Sequence, residues 1–254
     1  MVFLFSFFIL CHLIGDFIFQ FDCISKNKES CNNIKRYGFL AIHISIHLLT
    51  MVLVYFIINP ISHHYYKDYL ISGLIICSLH LIIDFLKYPL SKSKIEKIWL
   101  YCIDQSLHFL SIYAVLVIIL KKNFFMFLNK NLYLSVQLNI TEKLFISLSI
   151  FIIGTYFAAY FIKNYLSSKK IIDDSNPLSF GFKIGIIERT LAILLVVTNN
   201  YPTLAVIIAL KTLTRYKKIE ENKDFGDYYL MGNLLSLLFS ISAGILIKFI
   251  ISSP

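Results

Sequence analysis

Long apolar runs alternate with short polar connections along the whole chain. A helix needs about 20 apolar residues to cross the hydrocarbon core of a bilayer. Runs near that length predict eight helices, at 2–21, 37–59, 69–86, 99–120, 144–162, 184–198, 202–218 and 228–251. The sixth run is short and the seventh is apolar only to Leu213. These two form a membrane-crossing hairpin if all eight helices span, and the alternative is seven spans with one interfacial helix.

The predicted fold class is therefore an all-α, polytopic helical membrane protein. The helices fall into a four-helix N-terminal bundle at 1–120, a loop at 121–143 and a C-terminal helical half at 144–254 that packs on the bundle. Asn, Tyr and Pro at 199–202 predict a turn between the sixth and seventh helices. We expect a single membrane domain overall.

Composition excludes the other broad classes. The chain has 254 residues, of which 57% are hydrophobic and 15% charged, and its mean hydropathy is +0.72. Soluble domains carry about 25% charged residues, and disordered chains are far less apolar. Nine Gly and five Pro do not fit a collagen-like or low-complexity chain. Five scattered cysteines without a CxxC motif argue against a disulfide framework.

The net charge of +9 comes mostly from the connections between apolar runs. That placement favours a role in membrane orientation over nucleic-acid binding. Four or five Lys and Arg lie in each of the segments 22–36, 87–98, 163–183 and 211–227. On the other side, 60–68 has one and 199–201 none, with 121–143 as an exception that carries four. The bias predicts the inner cell membrane, with the basic side cytoplasmic and both termini outside.

Each of the first four apolar runs contains a pair of ionisable residues. The pairs, in HLIGD, HISIH, HLIID and DQSLH, are His12 with Asp16, His43 with His47, His80 with Asp84, and Asp104 with His108. Their i, i+4 spacing puts both side chains on one helix face, about 5–6 Å apart at Cβ. Such pairs can chelate one metal ion, and ionisable groups inside membrane spans are candidates for function.

The four pairs also share a depth. Counted from the predicted cytoplasmic ends, and at about 1.5 Å per residue, they form one layer roughly 3–15 Å below that surface. We expect them to converge on a metal site for Zn²⁺, with Mn²⁺ or Fe²⁺ as alternatives. Eight candidate ligands exceed the four of a closed zinc site. Either two ions bind, or some members orient the ligands of one ion. A metal-free proton relay and a polar packing network are the other interpretations.

Further charged residues lie near the same side in the C-terminal half. Glu188 and Arg189 lie one turn inside the sixth run, and Lys211 and Arg215 are i, i+4 on the next helix. Ion pairing and snorkelling to the interface are the favoured interpretation. The alternative is that they bind an anionic group, such as a lipid phosphate, next to the metal.

Together these segments resemble the bacterial integral membrane family called domain of unknown function 3307. HLIGDFIFQ, HISIH, HLIIDFLK and DQSLH carry the resemblance, as do IGIIER, ALKTLTRY and DYYLMGNLLS in the C-terminal half. Asp227 stands where the family pattern implies Glu, and Asn233 where it implies Thr. The resemblance implies no activity, although its helices are loosely similar to inner-membrane proteins described as metal-dependent hydrolases.

Three functions follow from these patterns. The first is a membrane-embedded metallohydrolase for a lipidic substrate, with Asp16, Asp84 or Asp104 as catalytic general base. The second is a metal-ion or proton transporter, which is disfavoured because carriers place their sites near the midplane. The third is a non-enzymatic sensor or scaffold that contains a structural metal. The sequence predicts no oligomeric state.

Overall fold

The computed structural model describes residues 2–20, 22–28, 30, 32–58, 66–93, 95–120, 138–168 and 180–253. Within these ranges the chain is helical and contains no strand. The helices are α1 (Val2–Leu13), α2 (Asp22–Lys28), α3 (Asn33–Ile58), α4 (Tyr66–Ser91), α5 (Lys97–Leu120), α6 (Ile140–Ile152), α7 (Ala158–Ser168), α8 (Phe180–Val197), α9 (Tyr201–Glu221) and α10 (Lys223–Ser252). Wider π-helical turns, Ile14–Ile18 and Ile153–Phe157, follow α1 and α6.

Five described helical segments are long and apolar enough to cross a membrane, and Val2–Ile18 is a shorter apolar helix. Four of the five lie in α3, α4, α5 and α10, and the fifth is Ile140–Ser168, which runs through α6, its π turn and α7. Their apolar side chains also point outward. On α3, Leu49 is 57% exposed and Phe56 is 65% exposed. An apolar surface of this kind is a liability in water, whereas lipid tails solvate it well. The fold is therefore that of a helical protein with five candidate membrane spans.

Residues 1–149 form the first of two compact units. Four of its helices pack in a ring, in which α1 contacts α3, α3 contacts α4, α4 contacts α5, and α5 contacts α1. Aromatic side chains fill one end of the ring: Phe8 stacks on Tyr69, and Phe7 meets both edge-on. The Tyr69 hydroxyl donates a 2.6 Å hydrogen bond to the carbonyl of Met51 and so joins α4 to α3. The other end of the ring is polar.

Residues 150–253 form the second unit. Here α10 packs against α7, α8 and α9. Close approach depends on small residues, because a Cβ at Gly244 would lie 2.7 Å from Cβ of Val196 and one at Gly154 would lie 2.6 Å from Cβ of Ala243. Small residues at helix interfaces are typical of membrane proteins. The turn predicted at 199–202 separates α8 from α9, with Asn199 at φ 59°.

The structure corrects the predicted connections. The segment 22–36 contains α2 and the start of α3, and α4 continues past Pro89 to Ser91. In the segment 211–227, α9 runs to Glu221 and α10 begins at Lys223. Lys and Glu are good helix formers, so these charged stretches extend the helices. Most of the predicted loop at 121–143 lies outside the described residues.

Fewer described segments qualify as candidate spans than the seven or eight predicted, and the exact number of spans stays a prediction. Residues predicted as the sixth and seventh spans form α8 and α9, which are too polar to count among the five candidates. The reason is their charge. Lys183, Glu188 and Arg189 lie in α8, and α9 is strongly basic beyond Leu210. Whether this hairpin crosses the membrane stays a prediction.

Candidate metal centre

The polar end of the helix ring holds a cluster of five histidines and three aspartates. α1 and its π turn, α3, α4 and α5 each supply two of them, at the end where α1 ends, α3 begins, α4 ends and α5 begins. None of the eight is more than 8% exposed. The members are His12, Asp16, His43, His47, His80, Asp84, Asp104 and His108. The structure thus brings together all eight residues that the sequence singled out by spacing.

A π turn positions the first carboxylate. Asp16 lies inside Ile14–Ile18, where the widened backbone replaces the last α-helical turn of α1. Such turns occur frequently at functional sites. Gly15 allows α3 to come close, since a Cβ at this position would clash with the ring of His47 and lie 2.6 Å from its Nδ1. The backbone of α1 therefore forms one wall of the cluster.

Asp16 is the carboxylate that most histidines face. The Nε2 atoms of His43 and His47 each lie 3.1 Å from its Oδ1, and that of His80 lies 3.6 Å away. His12 Nε2 is 3.7 Å from Oδ2. Four imidazoles from three helices therefore point their outer nitrogens at one carboxylate, as ligands arranged around a common centre would.

Asp84 lies between two groups of histidines. Its Oδ2 is 3.4 Å from Nε2 of His43 and 3.8 Å from Nε2 of His80, and its Oδ1 is 3.7 Å from Nε2 of His108. Nζ of Lys28 lies 2.7 Å from Oδ2. Lys28 comes from α2, and its charge neutralises Asp84 at Oδ2, whereas His108 faces Oδ1.

Asp104 repeats this arrangement. Its Oδ2 forms an ion pair with Nζ of Lys87 at 2.8 Å, while its Oδ1 is 3.6 Å from Nε2 of His108. Gln105 links this part of the cluster to Asp16, because its Nε2 donates to Oδ2 of Asp16 at 3.1 Å and to Oδ2 of Asp104 at 3.3 Å. Asp104 thus keeps Oδ1 toward His108, while Lys87 and Gln105 hold its Oδ2.

The spacing of these atoms fits a metal ion. Zinc ligands lie about 2.0–2.2 Å from the ion, so neighbouring ligand atoms in a tetrahedral shell are roughly 3.3–3.6 Å apart. The contacts between imidazole nitrogen and carboxylate oxygen in this cluster are 3.1–3.8 Å. Three groups have ligand atoms within 4.8 Å of one another: His12, Asp16, His47 and His80; His43, His80 and Asp84; and Asp84, Asp104 and His108.

Several polar atoms of the cluster are buried without a hydrogen bond. They include Nε2 of His12, Nε2 of His108 and Oδ1 of Asp104. A buried polar atom without a partner costs about 1–3 kcal/mol. A cavity of about 10 Å³, bordered by His12, His47, His80 and His108, lies beside them. The donor set and its unsatisfied atoms therefore fit a bound cation better than a closed hydrogen-bond network.

Sequence reasoning missed the two lysines and the glutamine. The sequence pattern indicates Lys28 and Lys87 only as orientation signals. The signal for Lys87 is its position three residues after Asp84 in HLIIDFLK. Gln105 lies inside DQSLH, next to a predicted ligand. The position of this amide beside a carboxylate expected to be buried is the feature that could have identified Gln105 as part of the site. Nothing in the sequence pointed to the pairing of Lys28 with Asp84, because 56 residues separate them.

The anion-binding candidates of the C-terminal half belong to the second unit. Glu188, Arg189, Lys211 and Arg215 line one cavity there. Lys211 forms an ion pair with Glu188. Their predicted position next to the metal stays a prediction, and the cavity is considered below.

Fold and cluster together define a class: helical proteins with candidate membrane spans and a buried histidine–aspartate centre. The chain belongs to the family described as "Protein of unknown function (DUF3307)", which matches residues 4–141. The match includes the four helices that carry the clustered histidines and aspartates. The C-terminal segments IGIIER, ALKTLTRY and DYYLMGNLLS, which also resemble the family, lie outside the matched range. Neither a curated protein nor a solved structure matches the chain.

Proposed function

We propose that this protein is a membrane-embedded, metal-dependent hydrolase that acts on a lipidic substrate. One observation carries the proposal: two of the three ligand groups share no residue. His12, Asp16, His47 and His80 form the first group, and Asp84, Asp104 and His108 form the other. One ion can bind in each, with Zn²⁺ as the expected metal and Mn²⁺ or Fe²⁺ as alternatives.

The two groups suit different roles. Four protein ligands complete the coordination of a structural zinc ion, whereas catalytic zinc sites have three protein ligands and one open position. We therefore assign the structural role to the group around Asp16 and the catalytic role to the group of Asp84, Asp104 and His108. Oδ1 of Asp104 and Nε2 of His108 are buried without a hydrogen bond, which supports that assignment. His43, 3.1 Å from both Asp16 and His80, orients ligands of the first group.

The chain's own residues supply the remaining chemistry. When bound, a divalent ion provides a Lewis acid and activates water near neutral pH. Asp84 and His108 would hold that ion, and Oδ1 of Asp104 accepts a proton from the attacking water and returns it to the leaving group, while Lys87 holds Oδ2 in place. Lys28 and Lys87 offset the charge of Asp84 and Asp104, which lets an anionic substrate such as a phosphate ester approach the bound ion.

A lipidic substrate follows from the surroundings of the cluster. The same helices expose large apolar side chains, including Phe85 of α4 at 46% and Leu107 of α5 at 42%. A substrate with an alkyl chain can approach laterally between such surfaces. In this proposal the protein lies in the inner cell membrane with both termini outside, so that the cluster opens toward the cytoplasmic leaflet. The basic residues near these helix ends support the orientation.

Hydrolysis can be tested without knowing the substrate. The purified protein is incubated with vesicles of total bacterial lipid in H₂¹⁸O, and the products are analysed by mass spectrometry. The proposal predicts products that contain ¹⁸O with wild type, and at least about 100-fold less with Asp104→Asn, because general acid–base catalysis contributes about 10²–10⁴-fold. Asp68→Asn is the matched control, since it removes a carboxylate from the opposite end of α4.

The assay also separates the alternatives. Products without ¹⁸O, or equal labelling with Asp104→Asn and Asp68→Asn, would contradict the hydrolase. Metal-dependent stability without labelled products would favour a scaffold with a structural metal. Uptake of Zn²⁺ into vesicles that contain the protein would favour a transporter.

A further inference from the structure

The second unit contains an open cavity of about 510 Å³ between α7, α8, α9 and α10. This volume is within the range of about 300–1,000 Å³ that is typical of small-molecule sites. We propose that the cavity binds the phosphate head group of an anionic lipid. The described lining residues all belong to the second unit, so lipid binding here does not depend on whether the first unit is a hydrolase.

The polar lining of the cavity is strongly cationic. Among the described residues, the lining has one acidic side chain, Glu188, against the basic Arg189, Lys211 and Arg215. The ion pair between Glu188 and Lys211 uses that acid. A cavity with unbalanced positive charge attracts an anion, and the attraction is stronger where water is scarce.

Arg189 is the buried element of this lining. It is 4% exposed, its Nε donates to the carbonyl of Thr155 at 3.0 Å, and its Nη1 donates to Oγ of Ser236 at 3.3 Å. No carboxylate forms an ion pair with it among the described residues, because Glu188, the acid that acts on its charge, is paired with Lys211. A buried cation that lacks an ion pair of its own is costly. Gly185 leaves room for the guanidinium, because a Cβ at this position would lie 3.3 Å from Nη1 of Arg189.

Arg215 provides a second guanidinium at the open side of the cavity. It lies one helical turn after Lys211 on α9 and is exposed. In the described part of the chain it also has no acidic partner. A planar guanidinium can form two parallel hydrogen bonds to phosphate oxygens. A deep Arg189 and an accessible Arg215 are thus suited to hold one phosphate group between them.

The rest of the lining is apolar. Ile162 and Leu166 of α7 and Phe182 of α8 face the same space as the arginines. A free phosphate ion would leave this surface without a partner, whereas the first carbons of an acyl chain would cover it at about 25 cal/mol per Å². The unit also contains Lys223–Ser252, which is long and apolar enough to cross a membrane. The combination therefore favours an amphiphile.

Binding can be measured by native mass spectrometry of the full-length protein in a neutral detergent. The probes are phosphatidylglycerol, phosphatidylcholine and inorganic phosphate. The proposal predicts that wild type binds phosphatidylglycerol at least about ten-fold more tightly than either of the other two. Arg215→Gln should weaken that binding about ten-fold, and Lys217→Gln, which removes one exposed charge from the same helix outside the cavity, should leave it unchanged.

Arg189→Lys keeps the buried charge but loses the planar fork, and it should also bind phosphatidylglycerol about ten-fold more weakly. Equal affinity for the two lipids, or equal loss with Arg215→Gln and Lys217→Gln, would overturn the proposal. Inorganic phosphate that binds as tightly as phosphatidylglycerol would overturn the lipid assignment. Metal content should be the same in all these variants, so a failure here is distinct from a failure of the hydrolase.

Discussion

Gly15 sets how closely α1 approaches α3. Its missing side chain leaves room for the ring of His47, which lies 3.1 Å from Asp16 through Nε2. The position is one residue before a ligand and inside a π turn. A methyl group there would push α3 away from the carboxylate that its two histidines face.

Gly15→Ala is therefore expected to destabilise the protein by about 1–3 kcal/mol, the usual cost of overpacking, and to lower its metal content. Thermal unfolding in detergent and elemental analysis measure the two effects. Gly38→Ala is the control, because a Cβ there meets nothing within 4 Å. The control should be neutral or slightly stabilising. If both variants unfold at the wild-type temperature, the close approach has no energetic role.

Gln105 joins the two parts of the cluster through its amide nitrogen, which donates to Asp16 and Asp104. Gln105→Leu removes both hydrogen bonds at similar volume. Loss of a residue that orients ligands typically weakens metal binding by about 10–100-fold, and we expect that loss in a competition titration against a zinc chelator. Ser106→Ala, exposed on the same helix, is the control. Equal affinity in the two variants would remove Gln105 from the site.

At this scale the sequence predicts well which histidines and aspartates cluster, and poorly which other residues pair with them. The eight histidines and aspartates follow from i, i+4 spacing within apolar runs, because charge inside a membrane span is rare. The roles of Lys28 and Lys87 in the cluster do not follow from the sequence, because a basic residue near a helix end is more often an orientation signal. Only the three-dimensional arrangement identifies their carboxylate partners.

Both π turns lie at the polar sites of their units. Ile14–Ile18 contains Asp16, and Ile153–Phe157 contains Thr155, whose carbonyl accepts from Arg189. Neither turn is predictable from the sequence, because one wide turn hardly changes the hydrophobic periodicity of a helix that is apolar all round. The helices themselves are predictable, and their ends are not, because the flanking lysines and glutamates continue the helix.

Helix packing in the second unit depends on Gly244. A Cβ there would lie 2.7 Å from Cβ of Val196 on α8. Gly244→Ala is expected to lower the free energy of unfolding by about 1–3 kcal/mol, as measured by denaturant or thermal unfolding in detergent.

Val196→Ala provides the control for that prediction, because it removes the atoms that the new methyl group would meet. The double variant should unfold closer to Val196→Ala than the sum of the single effects implies, with a coupling energy of about 0.5–3 kcal/mol. Strict additivity of the two substitutions would show that α8 and α10 do not meet at these residues.

The whole molecule carries two polar sites on two compact units. The first unit has carboxylates that favour a cation, and the second has arginines that favour an anion. The all-helical fold was predictable from the length of the apolar runs. The exact number of spans stays a prediction, because α8 and α9 carry charges within segments of nearly spanning length.

Metal removal should destabilise the intact protein. An ion that binds only the folded state adds about 2.7 kcal/mol at a free concentration 100 times its Kd. We expect EDTA to lower the unfolding temperature of wild type and added Zn²⁺ to restore it. His80→Ala should respond less, because His80 belongs to two of the ligand groups. An unfolding temperature that is insensitive to EDTA in wild type would argue for a metal-free polar network.

Metal stoichiometry tests the central claim most directly. Elemental analysis of folded protein, loaded with Zn²⁺ and freed of excess metal, should give about two ions per chain, one for each ligand group that shares no residue with the other. Asp84→Asn should retain about one, and Asp68→Asn, altered at the far end of α4, about two. A folded wild-type protein without bound metal, or equal metal content in the two variants, would contradict the account.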